Sequence, residues 1–153
     1  MEPRIDPRKV SFGAIKSMFG LEQYIRSAGL EENLLNLVRM RVSQINGCAY
    51  CLDMHSKELR AAGDTEQRLY LLDAWREAPL YSARERAALE WAEAITLVSV
   101  GHIPDAAFEA VRKQFSEKEI VDLTAAAVAI NSWNRIAIAF RAPPQVDSKR
   151  AAA

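Results

Sequence analysis

Apolar residues recur along this chain at intervals of three and four, the spacing that places them on one face of an α-helix. The first such segment runs from about Lys9 to Arg26, and Gly29 is expected to end it. A second begins at Glu31, whose negative charge suits the positive end of a helix dipole, and runs to about Ile45. The pattern therefore predicts two helices before residue 46.

Amphipathic segments continue to about residue 140, separated by short stretches rich in residues that break helices. The further predicted helices span residues 48–62, 64–78, 82–97, 105–115 and 116–140. Their predicted N-terminal caps include Asn46, Asp64, Ser82 and Ser116. No segment alternates as a strand does, so the sequence predicts an all-α domain of about seven helices joined by short loops.

The chain divides into one domain and two short ends. Residues 1–8 are predicted to form an extended N-terminal arm, residues 9–142 a single helical domain, and residues 143–153 a loose C-terminal tail. The last helix is apolar nearly all round from Leu123 to Ile130, and such a helix is buried in a large core or between subunits. We therefore expect a homo-oligomer.

Composition and charge exclude several classes of function. The 153 residues include 20 basic and 20 acidic side chains, so the net charge gives no basis for binding nucleic acid or an anionic membrane. The N-terminal residues lack the apolar run of a secretory signal, and no apolar stretch is long enough to span a bilayer. We expect a cytoplasmic protein, in which a close cysteine pair is catalytic, redox-sensing or metal-binding rather than a permanent brace.

Both cysteines and one of the two histidines fall in a single motif, Cys48-x-x-Cys51-x-x-x-His55. On a helix, residues three and four apart are neighbours, with β-carbons roughly 5–6 Å apart. A disulfide needs β-carbons about 3.5–4.5 Å apart, so a small local adjustment lets Cys48 and Cys51 bond. A disulfide formed under strain is easily reduced, which suits a bond that cycles.

Position in the helix makes these thiols reactive. Cys48 is expected in the first turn, where unpaired backbone N–H groups stabilise a thiolate, and a C-x-x-C arrangement has the same effect. His55 can accept a thiol proton or supply one to a leaving oxygen. A thiolate that meets a hydroperoxide becomes a sulfenic acid, which the second cysteine converts into a disulfide. The motif therefore predicts a two-cysteine peroxidase or a related oxidoreductase.

Two other readings of the motif stay open. The cysteines could be small core residues. They could also bind zinc together with His55, with His102 as a fourth ligand, although a structural zinc site usually has a second pair of closely spaced ligands. No metal and no cofactor are expected here. Arg39 and Arg41 are interpreted as partners in surface or intersubunit ion pairs.

The segment from Leu37 to His55, with its run V-S-x-I-N-G-C-x-x-C-x-x-x-H, resembles the carboxymuconolactone decarboxylase superfamily in its alkylhydroperoxidase D-like branch. The resemblance extends less sharply over most of the chain. It implies an all-helical fold that assembles as trimers or hexamers. It also implies that Cys51 attacks the hydroperoxide, that Cys48 resolves the intermediate and that His55 relays protons. The implied reductant is a dithiol, such as a lipoyl protein or a thioredoxin-like protein.

The sequence departs from the family at two supporting positions. The peroxidase pattern has a glutamate twelve residues before the first cysteine, where this chain has Asn36, and an amide cannot shuttle a proton at neutral pH. A histidine between the cysteines is replaced by Tyr50, a weaker acid–base group near neutrality. These changes imply a slower peroxidase, a proton relay rerouted through His55 and water, or a different substrate. The carboxylates that could replace the missing glutamate are Glu31, Glu32 and Glu58.

The leading hypothesis is a cytoplasmic antioxidant enzyme that reduces organic hydroperoxides through Cys51 and Cys48. The resemblance favours Cys51 as the attacking sulfur, whereas helix position favours Cys48 as the more acidic thiol. One alternative is lactone decarboxylation, which that branch of the superfamily performs without this cysteine pair. The other is a non-catalytic redox sensor or scaffold.

Overall fold

Helices make up all the regular structure of residues 2–145, the part of the chain that the computed structural model describes. They are α1 (Pro7–Val10), α2 (Phe12–Ser27), α3 (Glu32–Asn46), α4 (Ala49–Ala61), α5 (Glu66–Leu71), α6 (Ala83–Thr96), α7 (Val98–Gly101), α8 (Asp105–Arg112) and α9 (Glu117–Phe140). A 3₁₀ turn at Leu72–Ala74 continues α5. The predicted all-α fold is confirmed. The predicted helices correspond to α2–α6, α8 and α9, and the four-residue helices α1 and α7 are additional.

Side-chain caps fix the start of several helices. Ser82 and Ser116 each form the predicted capping box, at the starts of α6 and α9. The prediction that Asp64 caps α5 is wrong, because the Thr65 hydroxyl accepts the N–H of Arg68 at 3.2 Å. Asp64 instead accepts the Arg68 side chain at 2.7 Å. These contacts fix where the loops end, and hence how the helices meet.

Helix α3 is the centre of the fold. Every residue from Leu34 to Met40 is buried, because α3 lies between two apolar clusters. Val38 belongs to the cluster formed with α2, α6, α8 and α9, and Leu37 belongs to the cluster formed with α4, α5, the 3₁₀ turn and α6. Full burial of one such side chain contributes roughly 1.5–3 kcal/mol. The helix that leads into the cysteine motif is therefore anchored along its length.

Helix α9 is buried on one side only within a single chain. Leu123, Ala127 and Ile130 are buried, whereas Val121 and Val128 are 66% and 47% exposed. The apolar stretch from 123 to 130 is therefore not enclosed all round by residues 2–145. Burial of the exposed side between subunits, and the trimer or hexamer that the resemblance implies, stay predictions.

The ends of the domain meet beside α9. The backbone N–H of Arg4 donates to the carbonyl of Phe140 at 3.1 Å, and the Arg4 guanidinium donates to Ala139 at 3.0 Å. Residues 146–153, most of the predicted C-terminal tail, lie outside the described residues. In the described part of the chain, none of the helices combines the length and apolar character needed to cross a bilayer.

Candidate active site

The turn between α3 and α4 positions the cysteine motif. Gly47 adopts a left-handed conformation with φ of 67°, which ends α3 and which an L-residue with a side chain rarely adopts. Asn46 is the last residue of α3, so the prediction that it caps the next helix is wrong. Cys48 occupies the N-cap position of α4, and its sulfur accepts the backbone N–H of Cys51 at 3.4 Å. Cys48 therefore lies at the positive end of the helix dipole.

Cys48 and Cys51 are joined by a disulfide, with α-carbons 5.3 Å apart. Both side chains are buried, at 1% and 2% exposure. The two sulfurs thus lie together on one turn, as the spacing predicts. The pair is a two-electron redox couple in its oxidised state.

His55 lies one turn beyond Cys51 and is 4% exposed. Its Nδ1 is 2.7 Å from Oε2 of Glu58, and this hydrogen bond is the main cause that holds the pKa of Glu58 below its ordinary value of 4.5. An ionised carboxylate only accepts hydrogen bonds, so Nδ1 carries a proton; Nε2 carries a lone pair whenever the ring is neutral. Nε2 is buried and has no hydrogen-bond partner within residues 2–145. The ring therefore holds an unused proton acceptor inside the protein.

A cavity of about 1030 Å³ adjoins the motif. Cys51, His55 and Glu58 line it, and so does Tyr50, the residue between the cysteines. Cys48 is not among the lining residues. Of the two cysteines, Cys51 is therefore the one that lines the cavity.

Asn36 takes part in a buried cluster of polar side chains rather than in the cavity wall. Its Oδ1 accepts a guanidinium N–H of Arg39 at 3.0 Å. Arg39 is 4% exposed and also pairs with Glu22 at 3.0 Å and with Glu32 at 3.1 Å. The interpretation of Arg39 as a surface or intersubunit partner is wrong, because charges on α2 and α3 of its own chain pair with it.

Arg41 is also paired within its own chain. Its side chain is 11% exposed and binds Glu93 at 2.7 Å, together with Asp73. Glu93 accepts in addition from the Trp75 indole at 2.8 Å. The interpretation of Arg41 as a surface ion-pair partner therefore holds for Asp73, which is 78% exposed, but not for Glu93, and the cluster joins α3, the 3₁₀ turn and α6.

The carboxylates that could replace the missing glutamate differ in what they contact. Glu31 binds Arg84 at 2.9 Å and Glu32 binds Arg39, whereas Glu58 binds His55. Glu58 is thus the one of the three that lies in the candidate site. The i,i+3 spacing of His55 and Glu58 on one helix is the sequence signal that distinguishes it.

A second polar network, which the sequence analysis did not predict, holds the end of α3. The Asn46 side-chain amide donates to the oxygens of Asn131 and Asn134, each at 2.9 Å. Asn134 is fully buried and donates in turn to Ser43 at 3.1 Å. The available signal was the pair of asparagines that interrupts the apolar pattern of α9. The network fastens the residues just before Gly47 to α9.

The zinc reading finds no geometric support in the part of the chain that the structure describes. No group of three or more His, Cys, Asp and Glu side chains in residues 2–145 is arranged to hold a metal ion. His102 is exposed at the end of α7, with φ of 52°.

The amino-acid sequence of this chain is similar to those of known proteins. The sequence profile of the Carboxymuconolactone decarboxylase family matches residues 14–94. The uncharacterised protein YdfG of Bacillus subtilis is 42% identical over 140 residues, which cover 92% of this chain and 95% of YdfG. The match to YdfG therefore extends over nearly the whole of both chains.

Solved structures with the same fold are also similar to this chain in sequence. A protein of unknown function from Agrobacterium tumefaciens, provisionally named an antioxidant defence protein AhpD, is 46% identical with a TM-score of 0.92, covering 95% of this chain and 100% of that one. An uncharacterised peroxidase-related protein from Silicibacter is 26% identical with a TM-score of 0.77, covering 89% of this chain and 72% of that one. The chain therefore belongs to the carboxymuconolactone decarboxylase family, in its alkylhydroperoxidase D-like branch.

Proposed function

We propose that this protein is a thiol-dependent peroxidase that reduces organic hydroperoxides. The observation that carries the proposal is the placement of the cysteine pair: Cys51 lines the cavity together with His55, while its disulfide partner Cys48 does not line it. A substrate in the cavity therefore meets one sulfur, and the second is held beside it to form the disulfide. Membership of the alkylhydroperoxidase D-like branch supports the same chemistry.

In the first step His55 Nε2 takes the thiol proton of reduced Cys51, its neighbour at i,i+4. The Cys51 thiolate attacks the outer oxygen of the hydroperoxide, so an S–O bond forms and the O–O bond breaks. The departing alkoxide takes the proton from the imidazolium and leaves as an alcohol. Cys51 is then a sulfenic acid.

In the second step the Cys48 thiolate attacks the sulfur of Cys51. An S–S bond forms and the S–O bond breaks, and hydroxide leaves as water with the proton that the Cys48 thiol has lost. The N-cap position of Cys48 supports this step, because the N–H of Cys51 and the helix dipole stabilise a negative sulfur there. Cavity access supports Cys51 as the sulfur that attacks the substrate, and helix position supports Cys48 as the stabilised thiolate.

In the third step an external dithiol supplies two electrons and two protons. Its thiolate attacks the sulfur of Cys51, which lines the cavity, and Cys48 leaves as the stabilised thiolate. The second thiol of the reductant then attacks the reductant's own sulfur in this mixed disulfide, so the reductant leaves as a disulfide and Cys51 is released as a thiolate. A lipoyl protein or a thioredoxin-like protein has the required pair of thiols. Such a reductant is maintained in the cytoplasm, where we place the enzyme.

The supporting residues act through position. Glu58 keeps the proton of His55 on Nδ1 and offsets the positive charge of the imidazolium that forms during attack. Tyr50 contributes a wall of the cavity beside Cys51. Asn36 holds Arg39, which also lines the cavity.

The test is sustained turnover. We expect cumene hydroperoxide to be consumed over many cycles in the presence of dihydrolipoamide, and Cys51→Ser and Cys48→Ser to abolish repeated turnover. Mass spectrometry should find a loss of two hydrogens on the peptide that holds both thiols. A redox sensor would consume one equivalent per site and stop, and a lactone decarboxylase would release carbon dioxide from a lactone acid equally well in the serine variants. Either outcome contradicts the proposal.

A further inference from the structure

We propose that the cavity beside Cys51 binds the apolar organic group of a large hydroperoxide, and that the N-terminal residues 3–8 complete this binding site. The inference rests on the proposed function. It names the class of substrate and assigns a role to a segment that lies outside the predicted helical domain.

The cavity is far larger than small peroxides need. Its volume is about 1030 Å³, whereas one water molecule occupies about 30 Å³ in the liquid and hydrogen peroxide has only one more oxygen atom. Sites for drug-sized ligands measure about 300–1,000 Å³. The space next to Cys51 therefore fits a substantial organic group.

The walls of this space are largely apolar. The large apolar side chains of α2, α4 and α9 that line the cavity are Ile15, Phe19, Met54, Ile130, Trp133, Ile136 and Phe140. Phe19 is 46% exposed although its ring lies against Trp133, with centroids 5.4 Å apart. A ligand that covers such a surface removes it from water, which favours binding.

The acidic side chains and the buried arginine near Cys51 are already satisfied. Glu58 is paired with His55, and Glu22 with Arg39. Glu22 also accepts the indole N–H of Trp133 at 3.0 Å. Because these groups have partners, they do not themselves require a charge on the ligand; the side chains of Arg8 and Arg26 also line the cavity. At the Cys51 end, Nε2 of His55 is buried and has no hydrogen-bond partner within residues 2–145.

The N-terminal segment is fastened across the cavity. Arg4 binds the last carbonyls of α9, those of Ala139 and Phe140, and Asp6 caps α1 by accepting the N–H of Arg8 at 3.0 Å. In an extended segment, alternate residues point the same way. Pro3 and Ile5 accordingly line the cavity, and Arg4 between them does not. Ile5 is 47% exposed, so its apolar surface is available to a ligand.

The first experiment compares substrates of different size. Arg4→Ala releases the N-terminal segment, and Ile5→Asp places a charge in the cavity wall. The measured quantity is kcat/KM for cumene hydroperoxide divided by kcat/KM for hydrogen peroxide. We expect both variants to lower this ratio by roughly five- to tenfold, since one methylene in an apolar pocket is worth about tenfold or more. The matched controls are Arg112→Ala, which breaks an exposed ion pair, and Val100→Asp, at an 82% exposed valine away from the cavity. Both should keep the wild-type ratio.

An unchanged ratio in Arg4→Ala and Ile5→Asp, even with both rates lowered, would overturn the inference. So would a change of oligomeric state in these variants, because it would mean that a second copy of the chain covers this face. Absence of turnover with every hydroperoxide in the wild type would instead contradict the proposed function.

A binding measurement keeps the two failures distinct, because it needs no turnover. Trp133 lines the cavity, so titration of the Cys51→Ser variant with 2-phenyl-2-propanol, the alcohol produced from cumene hydroperoxide, should change tryptophan fluorescence saturably. The change should be lost when Trp133→Phe is added, since Trp75 and Trp91 do not line the cavity. A signal that does not saturate, or that persists without Trp133, would overturn the inference.

Discussion

His55 Nδ1 and Glu58 Oε2 lie 2.7 Å apart, three residues apart on the same helix. The histidine and its carboxylate partner therefore keep their alignment through the geometry of α4 alone. Asn36, which stands where the family's peroxidase pattern has a glutamate, lies on α3 and binds Arg39. In this chain the acidic partner of the histidine is supplied by the helix that also carries Cys51.

Glu58→Gln should slow the oxidation of Cys51 by roughly tenfold to a hundredfold, part of the contribution that general acid–base catalysis makes. Glutamine retains the shape of the side chain but loses the charge that offsets the imidazolium. The pKa of Glu58 is held below 4.5 by its hydrogen bond with His55, so the wild-type residue stays ionised throughout the neutral range. Single-turnover measurements of cysteine oxidation at pH 7 test this expectation.

Glu66→Gln is the matched control, because Glu66 pairs with Arg60 at 2.6 Å on the surface. It should oxidise at the wild-type rate. Equal rates for Glu58→Gln and the wild type, with unfolding curves that coincide, would exclude Glu58 from the proton relay.

Asn36 and Arg39 should be energetically coupled. Arg39→Met removes the donor for buried Asn36 and leaves Glu22 without its cation, with the Trp133 indole as its remaining partner. We expect a loss of about 2–4 kcal/mol in the free energy of unfolding. Glu32 is half exposed and regains water, which limits the loss. A double-mutant cycle with Asn36→Leu should give a coupling energy of about 0.5–3 kcal/mol. Strict additivity in urea unfolding would contradict the contact.

The network at the end of α3 should stabilise the fold. Asn134→Ala removes one partner each from Asn46 and Ser43, both of which keep a second hydrogen bond. We therefore expect a loss of about 1–3 kcal/mol in the free energy of unfolding. The control is Asn33→Ala at an exposed position of α3, which should change it by less than about 0.5 kcal/mol. If both substitutions lowered the free energy of unfolding by a similar amount, the buried network would contribute no more to stability than an exposed side chain does.

Local features of this fold could be predicted from the sequence, because they depend on residues within one turn of each other. The capping boxes at Ser82 and Ser116 and the adjacency of Cys48 and Cys51 are of this kind. The cap at Asn46 was mispredicted because Gly47 turns left-handed and shifts the start of α4 to Ala49.

Features that depend on packing could not be predicted. Arg39 occupies a polar position in the amphipathic pattern of α3, which by itself indicates exposure. Its burial depends on the ion pair with Glu22, a residue of another helix. The cavity likewise needs α2, α9 and the N-terminal residues to be brought together, and no local pattern encodes that arrangement. By contrast, the pairing of His55 with Glu58 is local, but its i,i+3 spacing was not used to choose among Glu31, Glu32 and Glu58.

The capping box of α9 should make stability depend on pH in the acid range. The N–H and hydroxyl of Ser116 bind Glu119, and with the adjacent Arg84 guanidinium they lower the pKa of Glu119 from 4.5 to about 2. A carboxylate with a depressed pKa in the folded state contributes its full stability above the unfolded value of 4.5 and loses it as pH falls towards 2. The side chain is 33% exposed, so solvent screens the charge and the contribution is modest.

Glu119→Gln should therefore lower the melting temperature at pH 7 by about 1–4 °C, equivalent to about 0.5–1 kcal/mol, and the difference from wild type should shrink as pH falls from 4.5 towards 2. Glu117→Gln is the matched control, since Glu117 lies in the same first turn but is not part of the capping box. It should have a smaller effect at pH 7. Thermal unfolding followed by circular dichroism tests both variants. If the difference in melting temperature between Glu119→Gln and the wild type stayed constant down to pH 2.5, the ionised carboxylate would not be the source of the stability.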